Sequence, residues 1–105
     1  MRGFAAEISA LQYMYARGDF AAAESGARCL LALVPKAPEL HDVLCTSLLG
    51  QGKAEEAEVA YRKALAAGCN YAEFYNGLGV ALLRLGRATE AIEACRRAVK
   101  RNVRF

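Results

Sequence analysis

The sequence predicts an all-α fold, a stack of three antiparallel helix pairs, and three observations carry that prediction. The chain echoes itself every 34 residues: Gly18, Gly52 and Gly86 share one place in the period, and Ala23, Ala57 and Ala91 share another. Sliding residues 38–71 onto 72–105 matches 11 of 34 positions without a gap, and a period of this length marks stacked units, not one globular core. Apolar residues recur at helical spacing, with no alternating stretch to suggest a strand. The composition is rich in Ala, Leu, Glu, Arg and Lys, with only 2 prolines, which favours helix.

Each element has its own local cause. Ile8, Leu11, Met14 and Tyr15 form the stripe of a first helix, and Arg17-Gly18-Asp19 is a turn signal. A second helix is expected over about Phe20 to Leu33, stopped by Val34-Pro35 because proline cannot continue a helix. Pro38 suits the first turn of a third helix, where no N–H is needed. Its stripe is Leu40, Leu44, Leu48 and Leu49, and Gly50-Gln51-Gly52 breaks it. A fourth helix, from about Ala54 to Ala67, is capped by Gly68. Asn70 is expected to N-cap a fifth, which carries Phe74, Leu78, Leu82 and Leu85 and stops at Gly86. A sixth runs from about Ala88 to Arg101, with Ile92, Cys95 and Val99 expected inward. The connections are short, so neighbouring helices run antiparallel.

At 105 residues the chain is one domain, 1–105, with repeats at about 4–37, 38–71 and 72–105. A formal net charge of +3 does not by itself point to nucleic acid. The longest apolar run falls short of the ~18–20 residues that span a bilayer. Glu7 interrupts the apolar start, so no signal peptide is read. Cys29, Cys45, Cys69 and Cys95 lack any CxxC spacing and share the chain with 1 histidine, which disfavours both a zinc site and a disulfide framework. They read as reduced, mostly buried thiols, with Cys69 the candidate for an exposed one. A cytoplasmic location follows from that chemistry.

The residues in register then show a resemblance. The last repeat reads Tyr75, Leu78-Gly79, Leu82, Ala91, Cys95, Ala98, Val103. The middle one reads His41, Leu44-Cys45, Leu48, Ala57, Tyr61, Ala64, Cys69, and the first Glu7, Ala10-Leu11, Met14, Ala23, Ala27, Leu30, Pro35. This pattern resembles the tetratricopeptide repeat family over almost the whole chain. The resemblance implies a right-handed superhelical solenoid. It also gives the small residues a role: Gly79, Ala91 and Ala98 sit where paired helices approach closely, as do Ala57 and Ala64 one repeat earlier. Proline is missing at Cys69 and Val103, and Leu11 stands where the later repeats have Cys45 and Gly79. No C-terminal capping helix follows the sixth, so apolar surface near Leu85, Ile92 and Val99 is expected to lie open. Such an end suits a fragment of a longer protein, or one covered by a second copy or a partner.

By the same resemblance the first helix of each pair lines a concave groove that binds an extended peptide or a helix. The matching residues are Ala5, Ile8, Gln12 and Tyr15, then Glu39, Asp42, Thr46 and Leu49, then Glu73, Asn76, Val80, Leu83 and Arg84. Apolar at the centre and acidic at one rim, they suit a protein or peptide ligand with apolar anchors and some basic character. The family's carboxylate clamp for chaperone tails needs Lys, Asn and Arg, but the corresponding places hold Ile8, Gln12, Val43, Glu73 and Gly77. The asparagine ladder of sugar-transferase arrays is absent too, with Ser9, Val43 and Gly77 at its places.

The basic run Arg96, Arg97, Lys100, Arg101, Arg104 has a plain reading as a helix C-terminus favouring cations, and a functional one as a patch for an acidic partner. Without interleaved aromatics it gives no expectation of nucleic acid binding. His41 stands at an aromatic place of the repeat and is expected to pack between helices; Asp42 beside it projects elsewhere. Tyr13, Tyr15, Tyr61, Tyr71 and Tyr75 read as inter-helix packing with one or two groove exceptions. No catalytic constellation, metal site or cofactor site emerges, and an enzyme is not expected. The function read from the sequence is a protein-binding adaptor or scaffold without membrane contact. The alternatives are a small bacterial repeat chaperone for a secretion substrate and the N-terminal interaction module of a larger enzyme such as a glycosyltransferase. Self-association through the uncapped end is a further route.

Overall fold

A computed structural model of the chain describes residues 4–102. They form six helices: α1 (Ala5–Ala16), α2 (Phe20–Leu31), α3 (Pro38–Gly50), α4 (Ala54–Ala66), α5 (Ala72–Arg84) and α6 (Ala88–Asn102). Consecutive helices pack on one another, α1 also meets α3, and α3 meets α5. The second helices of the pairs, α2, α4 and α6, make no such contacts among themselves, so they splay while α1, α3 and α5 stay together. One layer is therefore inner and one outer.

The repeated glycine builds the same turn each time. Gly18, Gly52 and Gly86 take φ of 89°, 78° and 77°, which only glycine adopts without strain. In each turn the next residue's N–H reaches back to the preceding helix: Asp19 to Met14 O, Lys53 to Leu48 O and Arg87 to Leu82 O, at 2.8–2.9 Å. This double-backed cap satisfies carbonyls that the helix end would otherwise leave bare. The start of α5 differs from expectation. Tyr71, in extended geometry, is its N-cap residue and makes no side-chain cap bond, while the Asn70 Oδ1 accepts from the Tyr75 hydroxyl at 3.4 Å.

The core runs through the stack along the predicted faces of α3 and α5. Leu40, Leu44, Leu48, Phe74, Leu78 and Leu82 are all buried, as are Ala23, Ala57 and Ala91 at their shared place. The sixth helix corrects the sequence reading. Ala91 and Ala94 face inward, while Ile92 and Val99 are 53% and 64% exposed. The cause is close approach: a Cβ at Gly79 would lie 2.9 Å from Cys95 Sγ, so α5 and α6 meet with room only for small side chains. Of the tyrosines, only Tyr61 is buried, with its ring centroid 6.4 Å from that of Phe74. Tyr13 and Tyr71 lie mostly in solvent, contrary to a packing role. Cysteine exposure is also reversed: Cys69 is buried and Cys29, on the outside of α2, is exposed.

The repeats are tied on the outer side by an ion-pair cluster that recurs with the period. Glu24 takes Arg28 of its own helix at 2.9 Å, plus Gln51 at 2.8 Å and Lys53 at 3.4 Å from the next pair. One period later Glu58 takes Arg62 at 3.0 Å and Arg87 at 2.6 Å. Burial works against ionising Glu58, but the hydrogen bonds from Arg62 and Arg87 outweigh it and hold its carboxyl below the usual range. A depressed folded pKa gives stability that is present above the unfolded pKa and lost as pH falls through the folded one. Glu58→Gln should therefore lower the urea midpoint slightly at neutral pH and flatten its decline under acid, read from unfolding curves at several pH values.

Candidate binding surfaces

The inner layer of α1, α3 and α5 carries every residue of the expected groove. Gln12, Tyr15, Glu39, Asp42, Glu73, Asn76, Leu83 and Arg84 are exposed, and Ile8, Thr46, Leu49 and Val80 are half-buried. They do not form one uniform trough. Ala5, Ile8, Gln12 and Glu39 line a cavity of about 350 Å³ together with Ser9, Val34 and Ala37. Thr46 donates its hydroxyl to Asp42 O at 2.6 Å, within its own helix. Arg84 is a cross-repeat tie, since its Nη1 donates to Leu49 O at 2.9 Å. Leu83 turns instead to α6, where it lines a separate groove with Ile92, Cys95 and Val99.

The electrostatics of the layer centre on two carboxylates. Asp42 is reachable by solvent yet hemmed by protein, and burial together with the charge of Glu73 pushes its carboxyl above the ordinary aspartate value. Among the described residues neither Asp42 nor Glu73 has an ion-pair partner. Burial, helped by Asp42, also pushes the Cys45 thiol up to about 12, and burial with Glu39 raises Cys69. Neither thiol is a nucleophile at neutral pH.

The outer face holds two cavities that the sequence reading missed. Arg28, Leu31, Pro35, His41, Leu44, Glu56, Val59, Ala60 and Lys63 line one of about 470 Å³. Its counterpart one period later, around Arg62, Tyr75, Leu78, Glu90 and Arg97, measures about 180 Å³. His41 occupies the place of Tyr75, is buried as expected, and bonds through Nε2 to Pro35 O at 2.7 Å. The sequence signal at these places is a change of residue type across the period, His41 against Tyr75 and Val59 against Glu93. The basic run lies on exposed α6, with Arg96 and Arg97 3.9 and 3.7 Å from Glu93; Arg104 lies outside the described residues. Among the described residues no helix is long and apolar enough to cross a membrane, and no three His, Cys, Asp or Glu side chains converge as metal ligands.

Helix pairs stacked in register, an inner layer of first helices and a repeated glycine turn define a helical repeat protein of the solenoid class. The family model described as tetratricopeptide repeat matches residues 44–103, more than half of the chain. The chain belongs to the tetratricopeptide repeat family. No curated relative matches it. Members of this family are in general protein–protein interaction modules and typically not catalytic.

Proposed function

We propose that the chain is a docking module whose inner layer receives an extended peptide or a helix of a partner protein, anchored by apolar side chains and at least one Lys or Arg. The observation that carries this reading is the Asp42–Glu73 pair. Burial and the charge of Glu73 raise the proton affinity of Asp42 on a solvent-facing layer, and with no ion-pair partner for either among the described residues, the two carboxylates await a cation that a ligand brings. Ile8, Leu49 and Val80, each half-buried, are available as apolar seats on the same layer.

Selection of peptides from a random displayed library against the chain tests this. Lys and Arg should be enriched among the binders, spaced with Leu, Phe or Met. Asp42→Lys with Glu73→Lys should weaken the selected peptides by about ten-fold or more. Binding should also fade with acid. A raised pKa means that Asp42 takes its proton at a higher pH than an ordinary aspartate, so affinity falls earlier as pH drops, and binding a cation releases that proton. Binders without basic residues, or full affinity in the double variant, would remove the proposal.

A further inference from the structure

We infer a second docking site, distinct from the inner layer, in the groove between α5 and α6, whose occupant is an amphipathic helix of another protein with an apolar stripe and acidic flanks. The groove is lined by Leu83, Ala91, Ile92, Cys95, Arg96, Val99 and Lys100 and encloses about 500 Å³. Leu83, Ile92 and Val99 are each more than half exposed, so three large apolar side chains meet water in one place.

The period identifies the shape of what fits. Moved back 34 residues, the main lining positions become Leu49, Ala57, Glu58, Tyr61, Arg62, Leu65 and Ala66. That surface is covered in this molecule by α5 and the Arg87 turn: a methyl at Gly77 would overlap the Tyr61 ring, Phe74 stacks edge-on to Tyr61, and Arg87 reaches Glu58. The groove on α6 is thus the seat of a helix by the same geometry.

The departures from the period identify its chemistry. The place of Glu24 and Glu58, which bind Lys53 and Arg87, is held on α6 by Ile92. The place of Ala32 and Ala66 is held by Lys100, while Arg96 keeps the cation of Arg28 and Arg62. One acid and one cation in each internal seat become two cations and an added apolar side chain. The occupant there brings acids instead of the basic residue that the internal seats receive. Cys95 replaces Tyr61, so the occupant also presents a side chain where α5 needs Gly77.

A second copy of the chain fits poorly. Two α6 faces set against each other would bring Arg96 and Lys100 onto like charges. A copy stacked end to end would offer α1, where Ala6 and Ser9, both exposed, stand at the places of Phe74 and Gly77 on α5 and of Leu40 and Val43 on α3. Ala6 lacks the bulk with which Leu40 and Phe74 anchor the internal seats.

Two synthetic helical peptides of about four turns test the site. They share a Leu and Phe stripe and differ only in flanks of Glu or Lys. Fluorescence anisotropy with the 105-residue chain should show the Glu peptide binding at least about ten-fold tighter. Added salt should weaken that binding. Ile92→Asp, at an exposed position that leaves the thermal midpoint in place, should abolish it. Arg96→Glu with Lys100→Glu should transfer the preference to the Lys peptide. In a Cys29→Ser chain, bound Glu peptide should slow alkylation of Cys95. The inner-layer variant Asp42→Lys with Glu73→Lys should not weaken this binding, so the two sites fail or stand separately. Equal binding of both peptides, an unchanged preference in the charge-reversed variant, or loss of the Glu peptide in the inner-layer variant would overturn the inference. Ile92-dependent self-association in sedimentation would overturn it too, as would Ile92-dependent binding to phosphatidylserine vesicles.

Discussion

Leu48→Ala should lower the stability of the chain by about 2–5 kcal/mol, the range for emptying a fully buried leucine site. Leu48 has no exposed surface and belongs to the middle repeat, so its side chain packs in the region where both neighbouring pairs lean. Truncation removes apolar burial and leaves a void that flanking helices fill only in part, because α3 is held by helices on several sides. For a domain of this size the thermal midpoint should fall on the order of 10–20 °C. Met14→Ala, at the same place of the first repeat, should cost less, since Met14 is only partly buried and α1 has neighbours on one side. Urea and thermal unfolding followed by circular dichroism measure both. A loss below about 1 kcal/mol for Leu48→Ala would mean that the repeats do not share a core.

Much of this architecture was legible in the sequence, and the reason is repetition. Gly18, Gly52 and Gly86 mark the same turn because each must take a left-handed conformation there. Ala23, Ala57 and Ala91 mark the same contact because each is fully covered. The faces of α3 and α5 follow from ordinary amphipathicity. Alpha-helix six did not follow from it, because Ile92 and Val99 look like core residues by size, whereas the approach of α5 demands Ala91 and Ala94. The register of Ala91 already contained the correct answer, and side-chain size argued against it. Tyr13 and Tyr71 misled in the same way, since large aromatic residues on the outside of a thin stack have no second layer to cover them. Of the candidate site, the sequence places all groove residues on first helices. It does not show that Arg84 is engaged by Leu49 O, that Leu83 belongs with α6, or that Asp42 feels the charge of Glu73. Those are properties of pairs from different repeats, and periodicity speaks only of single positions.

The second large effect concerns such a pair. Gly77→Val should destabilise the chain by about 3 kcal/mol or more, and Tyr61→Ala by a similar amount, yet the two together should recover at least about 2 kcal/mol of the summed loss. Gly77 lies inside α5, where glycine ordinarily weakens a helix by roughly 0.5–1 kcal/mol relative to alanine. Its presence is explained by the Tyr61 ring, whose Cζ and hydroxyl occupy the space a side chain would need. Tyr61 is buried and cannot swing aside into solvent without breaking its edge-on contact with Phe74. At the preceding junction the same two places hold Ala27 and Val43, both buried. A large residue facing none in one junction is matched by a small residue facing a medium one in the other. The double variant copies the first junction into the second, so the volume removed at residue 61 is largely returned at residue 77. Gly77→Ala, the milder change, keeps the cycle measurable if Gly77→Val alone does not fold. Simple additivity of the single losses would show that Tyr61 and Gly77 are not a matched pair. Strong coupling would show that each seat in the stack accepts a helix of its own relief, which is the condition for a third seat, floored by Cys95, to select a partner.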